Sequence, residues 1–180
     1  DIVNELKGFD VLMWHHNQAN PKDLIFAKKL LFSLEQSGIK IFPNFNTAWH
    51  FDDKVAQKYL LEAINAPLVP SFVFYSKKTA LNWVQQTSFP KVFKLSRGAG
   101  SANVKLVKNK KNATKLINQA FSNGFKQYDS FSNLAERWRK YKKGQTDLWD
   151  VTKGFLRLFK EPRYSKIIGN EIGYVYFQDF

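Results

Sequence analysis

Short apolar runs alternate with amphipathic stretches along the first part of the chain. The run FDVLMW at residues 9–14 has the continuous apolar character of a buried parallel strand. The dipeptide Asn20-Pro21 begins a helix in which apolar residues recur every three or four positions, and Gly38 ends it. The apolar residues of this helix are Leu24, Ala27, Leu30, Leu31 and Leu34. Residues 39–43 form the next strand, and the order strand, helix, strand predicts a parallel βαβ unit.

The later pattern consists of shorter elements. A helical stripe covers residues 55–63 and ends before Pro67, and we expect Asp52 and Asp53 in its first turn, where carboxylates favour the helix dipole. Further strands are predicted at residues 71–75, 91–95, 103–107 and 173–177, and further helices at residues 77–86 and 112–122.

Composition indicates a folded protein without thiol chemistry. Hydrophobic residues make up 44% of the 180 residues, which favours a packed core. The chain has no cysteine, so disulfides, thiolate metal sites and thiol nucleophiles are excluded. The apolar runs are far shorter than the roughly 20 residues that span a bilayer. We therefore expect a cytoplasmic protein, with peripheral contact to a membrane left open.

The net charge of +13 is concentrated in the second half of the chain. Residues 1–90 contain 9 Lys and Arg against 8 Asp and Glu, whereas residues 91–180 contain 19 against 7. A basic half predicts an anionic partner. Nucleotide phosphate, nucleic acid, anionic lipid and an acidic polymer all fit the charge.

The segment FPKVFKLSRGAGSANVKLV at residues 89–107 carries the clearest chemical pattern. A strand ends in Lys94, a loop with Gly98 and Gly100 follows, and a second strand comes directly after it. Glycines let backbone amides approach a phosphate closely, and the lysine supplies a positive charge. The pattern predicts a hairpin flap over phosphates, and an ordinary hairpin with a glycine turn is the alternative.

Three segments in order resemble the ATP-grasp superfamily, nearest to its ribosomal-S6-modifying and glutathione-synthetase-like ligases. They are FDDKVAQKYLLEAINAPLVPSF at residues 51–72, the flap segment at residues 89–107, and GYVYFQDF at residues 173–180. The resemblance covers residues 43–126 and 170–180. It implies an α/β fold in which a partial Rossmann-like pre-ATP-grasp domain precedes the small α+β ATP-grasp lobe, with a helical insertion.

The resemblance implies a nucleotide site and assigns a role to each matching position. Lys94 would contact the α-phosphate and the purine edge, and Lys54 would be a second phosphate contact. The backbone of Asp179 and Phe180 would bind adenine, with Phe180 or its neighbours lining an apolar slot. The full set of expected nucleotide contacts is Lys54, Lys94, Gly98, Gly100, Ser101, Gln178, Asp179 and Phe180.

The sequence departs from the family pattern at two places. The flap has Ala102 and Asn103 where many members have more glycine, and asparagine tolerates left-handed backbone. Asp179 stands in place of the commoner glutamate, which matters little where the backbone makes the contact.

The resemblance further implies an ATP-dependent carboxylate–amine (or thiol) ligase that acts through an acyl phosphate, with ATP and Mg²⁺ as cofactors. The family's metal ligands follow the hinge strand, so we expect them beyond Phe180 and expect no metal site and no turnover from this chain alone. We interpret His15, His16 and His50 as structural or surface residues, and we assign no catalytic residue. The carboxylate and the nucleophile stay open.

This resemblance predicts three regions. Residues 1–48 would be the partial pre-ATP-grasp domain, residues 49–126 and 170–180 the nucleotide-binding lobe, and residues 127–169 a basic helical insertion.

The predicted insertion is either a helical hairpin with a packed apolar side and solvated lysines, or the basis of a competing function. Its apolar residues form one stripe through Leu134, Trp138 and Tyr141 and a second stripe beginning at Leu148, so it predicts two amphipathic helices divided by Gly144. Basic residues cluster between the stripes at Arg137, Arg139, Lys140, Lys142 and Lys143. The alternative function is a non-enzymatic module that binds an anionic membrane, an acidic polymer or nucleic acid, and the lack of an aromatic recognition strand disfavours nucleic acid.

Overall fold

A computed structural model describes residues 1–98, 103–127, 130–156, 165 and 169–180. These residues form two compact units, Asp1–Asp53 and Lys54–Phe180. Among the described residues, no helix combines the length and the apolar character that crossing a bilayer requires.

The first unit contains the βαβ arrangement that the sequence predicts. Its elements are α1 (Ile2–Leu6), β1 (Val11–Met13), α2 (Pro21–Gln36), β2 (Lys40–Phe42) and α3 (Phe45–Ala48). Strands β1 and β2 pair in parallel. The Asn20 side chain caps α2 by accepting from the Lys22 amide, with Pro21 at the first helical position. Leu31 and Leu34 of α2 pack with Ile41 of β2 in one apolar cluster.

The expected burial of the first strand is wrong. Val11 and Met13 are 50% and 72% exposed. Leu12, between them, packs on the cluster that α2 forms. A strand that a helix covers on one side only alternates between contact and solvent, so the apolar run FDVLMW did not indicate burial on both faces.

The second unit is built on a four-stranded antiparallel sheet. Its strands are β3 (Ser71–Phe74), β4 (Lys91–Lys94), β5 (Lys105–Val107) and β8 (Val175–Asp179), in the spatial order β3-β8-β4-β5. The last strand therefore lies between two strands that come about 80–100 residues earlier in the chain. Its neighbours hold it in register, with Phe177 opposite Phe72 on one side and Phe93 on the other.

Helices α4 (Lys54–Ala63), α5 (Lys77–Gln86) and α6 (Lys110–Ala120) belong to the same unit as this sheet. Helix α5 has the bounds that the sequence predicts, whereas α4 begins at Lys54, after Asp52 and Asp53. Asp52 has a φ of 57°, which is left-handed backbone and incompatible with a right-handed helical turn. Asp52 and Asp53 therefore precede the helix instead of lying in its first turn.

Helices α5 and α6 cover one face of the sheet. Val84 of α5 and Ile117 of α6 belong to the same buried cluster as Phe93, Val175 and Phe177. Because side chains alternate along a strand, Lys94, Tyr176 and Gln178 lie on the opposite face. The two faces of these strands therefore differ in chemistry, one apolar and one polar.

The predicted helical insertion leaves and rejoins the fold through a short ladder. Strands β6 (Phe125–Lys126) and β7 (Asn170–Glu171) pair antiparallel, and between them lie α7 (Ser130–Lys142) and α8 (Leu148–Leu156). Gly144 has a φ of 68° and divides the two helices, as the sequence predicts.

Arg137 does not belong to the exposed part of the basic cluster that the sequence predicts. Its guanidinium forms an ion pair with the Asp150 carboxylate and donates to the Asp150 backbone carbonyl at 3.1 Å, so it joins α7 to α8. A Cβ at Gly154 would lie 2.7 Å from the Arg137 Cδ, so Gly154 makes room for this side chain. Arg137 therefore lies between the helices, whereas Arg139, Lys140, Lys142 and Lys143 are exposed.

Candidate functional site

A polar cluster occupies the face of the sheet opposite α5 and α6. The Lys94 Nζ at the end of β4 donates to the Gln178 Oε1 on β8. The Gln178 Nε2 and the Tyr176 hydroxyl each lie 3.2 Å from the Ser71 Oγ on β3. Three neighbouring strands thus contribute to one hydrogen-bonded group that ends at a lysine.

The Lys94 ammonium is poorly solvated. Burial lowers its pKa below the ordinary value of 10.5. A half-buried cation that donates to a neutral amide gains more from an incoming anion than a fully hydrated lysine does. Lys94 is therefore suited to bind an anionic group at this face.

Lys54 and Gly98 come together at the base of the glycine loop. The Lys54 backbone amide donates to the Ser96 carbonyl at 2.9 Å. The Lys54 Nζ lies 2.5 Å from the Gly98 carbonyl and 3.4 Å from the Ser96 carbonyl. Gly98 has a φ of 96°, a backbone conformation that favours glycine. The first turn of α4 is thereby attached to the chain that leaves β4 after Lys94.

Asp179 is used differently from the sequence expectation. Its backbone N–H donates to the Pro70 carbonyl at 2.9 Å, and its Oδ1 lies 2.5 Å from the Lys91 Nζ. The Asp179 amide, an expected adenine contact, is therefore already hydrogen-bonded to the residue that precedes the neighbouring strand β3. The Asp179 carbonyl and the Phe180 backbone remain the expected adenine contacts.

Three further residues, Phe180, Gly100 and Ser101, complete the predicted nucleotide contacts. Phe180 is 83% exposed. That Phe180 or its neighbours line an apolar slot stays a prediction. The aromatic rings that do gather, Phe72, Trp83 and Phe177, have centroids 5.1–5.2 Å apart along a chain of contacts centred on Trp83. Gly100 and Ser101 lie outside the described residues.

Sequence reasoning missed Lys91, a nearly buried cation at the other end of β4. It is 5% exposed, is paired with Asp179 and lies 5.6 Å from the centre of the Phe72 ring. Strand alternation was the available signal, because Lys91 shares a face with Phe93 and a lysine on an apolar face needs an anionic partner.

A second missed residue, Glu171, lies at the loop base. Its carboxylate accepts from the Ser96 amide at 2.9 Å and from the Arg97 amide at 3.1 Å. Burial raises the pKa of this carboxyl above its ordinary value of 4.5. Nothing in the local sequence marks this contact, since 74 positions separate Glu171 from Arg97.

The described residues do not fit a metal centre. They contain no group of three or more His, Asp or Glu side chains placed to share an ion. His16 is 6% exposed, and burial followed by the Lys28 charge lowers its pKa. Its ring lies edge-on to Phe51 at 5.0 Å, so His16 packs as a core aromatic residue. No chemical step through Mg²⁺ follows from these side chains.

Comparison with known proteins gives one family match. The family described as carbamoyl-phosphate synthase L chain, ATP binding domain, matches residues 53–143. No curated protein sequence matches the chain.

Two solved structures resemble the fold. The biotin carboxylase domain of 2-oxoglutarate carboxylase from Hydrogenobacter thermophilus, solved with MgADP, ADP and bicarbonate, matches with a TM-score of 0.51 and 12% identity over 99% of this chain and 30% of that one. A RimK domain ATP-grasp protein from Sphaerobacter thermophilus matches with a TM-score of 0.48 and 14% identity over 96% of this chain and 46% of that one. The chain thus spans less than half the length of either structure.

The fold and the family match are those of an ATP-grasp ATP-binding domain. The chain belongs to the carbamoyl-phosphate synthase L chain ATP-binding domain family, and the ATP-grasp resemblance of its sequence is confirmed.

Proposed function

We propose that this chain binds ATP on the polar face of the β3-β8-β4-β5 sheet. The observation that carries the proposal is Lys94, a partly buried lysine with a lowered pKa that joins the end of β4 to Gln178 of the hinge strand. Burial removes part of the hydration of this ammonium, and a phosphate would stabilise it by supplying a counter-charge.

Each neighbouring element then has a part in holding the nucleotide. Lys54 binds the carbonyls of the loop base, and we infer that it supports the phosphate side of the site. Gly98, and with it Gly100 and Ser101 further along the loop, would present backbone amides to the phosphates. The Asp179 carbonyl and the Phe180 backbone would meet the adenine edge.

For the whole protein we propose an ATP-dependent ligase that joins a carboxylate to an amine or a thiol through an acyl phosphate. Mg²⁺ would neutralise phosphate charge in such a reaction. The described residues offer no carboxylate cluster to hold that ion. The part of this chain is to bind and orient the nucleotide, and we expect no turnover from it alone.

Replacing Lys94 tests the binding proposal. Lys94→Met keeps the apolar stem and removes the charge. We expect ATP affinity to fall by about 1.5–3 kcal/mol, the range for a lost charge-assisted hydrogen bond. Lys108→Met is the matched control, because Lys108 is an exposed lysine just after β5 of the same sheet.

The measurement is an NMR titration of the labelled chain with ATP, which detects weak as well as tight binding. Equal dissociation constants for wild type and Lys94→Met would remove Lys94 from the site. A comparable loss in Lys108→Met would mean that net charge, and not the site, controls affinity.

A second function, docking on an anionic membrane surface, is favoured by the helical insertion. Exposed apolar side chains accompany the exposed basic ones, with Trp149 62% and Leu156 64% exposed. The Lys142 Nζ lies 5.7 Å from the Trp138 ring, and the Lys153 Nζ lies 5.5 Å from the Trp149 ring. An apolar cavity of about 670 Å³ opens between α7 and α8. Lysines beside exposed tryptophans are typical of surfaces that contact anionic lipid headgroups.

Liposome co-sedimentation tests this docking. We expect binding to anionic vesicles that weakens with salt, since each basic residue near the lipid contributes about 1 kcal/mol. Replacing Arg139, Lys140, Lys142 and Lys143 with Gln should abolish it, and Arg137 is left intact because it joins the two helices. Equal recovery with neutral and anionic vesicles would contradict membrane docking, and displacement by RNA or heparin alone would favour a polymer instead.

A further inference from the structure

The Glu171 carboxylate is the centre of a four-donor network at the base of the glycine loop. Its Oε2 accepts from the Ser96 amide and the Tyr174 hydroxyl. Its Oε1 accepts from the Arg97 amide and the Gln127 Nε2. Each oxygen thus receives one backbone N–H of the loop base and one side-chain donor from outside the loop.

The far end of the same loop is attached to the same part of the fold. Asn103 has a φ of 59°, and its Nδ2 donates to the Lys126 carbonyl at 3.1 Å and to the Gln127 carbonyl at 3.0 Å. Gln127 follows β6 and also donates to Glu171 on β7. Both ends of the loop are therefore fixed to the β6–β7 ladder.

The backbone of Glu171 lies against the β6 side of the ladder at close range. It pairs with Phe125 across the ladder. Gly124 has a φ of 68°, and a Cβ there would lie 2.5 Å from the Glu171 carbonyl oxygen. The close approach of two backbones sets where the Glu171 side chain begins, and its carboxylate then determines where the Ser96 and Arg97 amides lie.

We propose that Glu171 is a positioning residue, which binds the Ser96 and Arg97 amides and so holds the start of the glycine loop in the place required for nucleotide binding. The inference rests on the proposed ATP-binding function and adds a residue that the family resemblance did not assign. Glu171 acts through the loop and does not itself contact the nucleotide.

Burial makes the ionised form of Glu171 energetically costly. Burial raises the pKa of its carboxyl, although the Gln127 and backbone donors and the Arg97 charge oppose the shift. A raised folded-state pKa means that the charged form is less favourable in the folded chain, so ionised Glu171 costs stability at neutral pH.

The substitution Glu171→Gln separates the two roles. An amide offers one acceptor oxygen in place of two, so its NH₂ must face one of the loop's backbone N–H donors whichever way it is turned. Glu171→Asp keeps the charge and shortens the reach by one methylene. Glu35→Gln is the matched control, because the Glu35 Oε2 also accepts a backbone amide, that of Phe45 at 3.0 Å, in the other unit of the chain.

The experiment measures ATP dissociation constants by NMR titration and unfolding free energies by urea denaturation for all four chains. We expect ATP affinity about tenfold weaker in Glu171→Gln, intermediate in Glu171→Asp, and unchanged in Glu35→Gln. Unfolding free energy should change little in Glu171→Gln, because relief from burying a charge offsets the amide donor that is left without an acceptor. Without nucleotide, the Ser96 and Arg97 amides should exchange with solvent faster in Glu171→Gln than in wild type.

The outcomes distinguish this inference from the proposed function. A wild-type chain that does not bind ATP would overturn both. Wild-type binding that Glu171→Gln retains in full would overturn the positioning role alone. A large loss of unfolding free energy in Glu171→Gln would show that Glu171 is structural, which also overturns the positioning role.

Discussion

The two faces of the central sheet are built from alternate residues of the same strands and have opposite chemistry. On the face covered by α5 and α6, Phe93 and Phe177 are at most 1% exposed and pack with their ring centroids 5.8 Å apart. On the other face, Lys94 and Gln178 form a hydrogen-bonded pair. Neighbouring positions along β4 and β8 therefore belong in turn to the core and to the candidate site.

The two faces should therefore control different properties of the chain. Substitutions on the helix-covered face remove apolar burial and should change stability. Substitutions on the polar face alter charge and hydrogen bonding and should change ligand binding.

The largest effect on stability should come from Phe177→Ala. Phe177 is fully buried, so truncating it to alanine leaves a cavity. The expected cost is about 3–5 kcal/mol in the free energy of unfolding. Tyr176→Phe, one position away on the polar face, loses the hydrogen bond to the Ser71 Oγ and should cost about 1 kcal/mol. Urea denaturation measures both, and similar losses would contradict the division into two faces.

Lys91 breaks the pattern, because it is a charged residue on the helix-covered face. Lys91→Met should leave Asp179 without its cation and cost about 1–2 kcal/mol, less than for a fully buried pair because the Asp179 side chain is 37% exposed. The double substitution Lys91→Met with Asp179→Leu should recover part of that loss. A double-mutant cycle on unfolding free energies checks this prediction, and additive losses would mean that the ion pair contributes nothing.

The pH dependence of Lys94 should sharpen the contrast. Because burial lowers the pKa of its ammonium, the folded chain loses this proton before the unfolded chain does, and ATP affinity should fall as pH rises through the lowered value. In the same window, below 10.5, the unfolded state holds more protons, so the Lys94 contribution to unfolding free energy rises with pH.

Lys94→Arg provides the comparison, since a guanidinium stays charged throughout this range. The predicted fall in ATP affinity with pH should therefore be absent in Lys94→Arg, when both chains are titrated with ATP across the alkaline range. Identical pH profiles in the two chains would assign the titration to another group.

Local elements were predictable from the sequence, and distant contacts were not. The bounds of α5 and the two helices around Gly144 follow from apolar spacing and glycine, which act over a few residues. The exposure of β1 could not be predicted, because it depends on what covers the strand. The place of β8 between β3 and β4 pairs residues about 80–100 positions apart, which periodicity cannot specify.

The candidate site shows the same limit. Lys94 and the glycine loop stand out in the sequence because a strand, a lysine and glycines are adjacent there. Lys91 with Asp179 and Glu171 with Arg97 join positions 88 and 74 residues apart, and only the fold brings them together. Whether Lys54, Lys94 and the hinge residues contact a nucleotide stays a prediction.

We expect ATP to bind the polar face of the sheet. Chemical-shift mapping with ATP on the ¹⁵N-labelled chain tests it most directly. We expect saturable chemical-shift changes at Lys94, Gln178 and Asp179, and at the Ser96 and Arg97 amides. The chemical shifts of residues in α7 and α8 should stay unchanged. Shifts confined to the basic helices α7 and α8, or no saturable shift at Lys94 and Gln178, would contradict it.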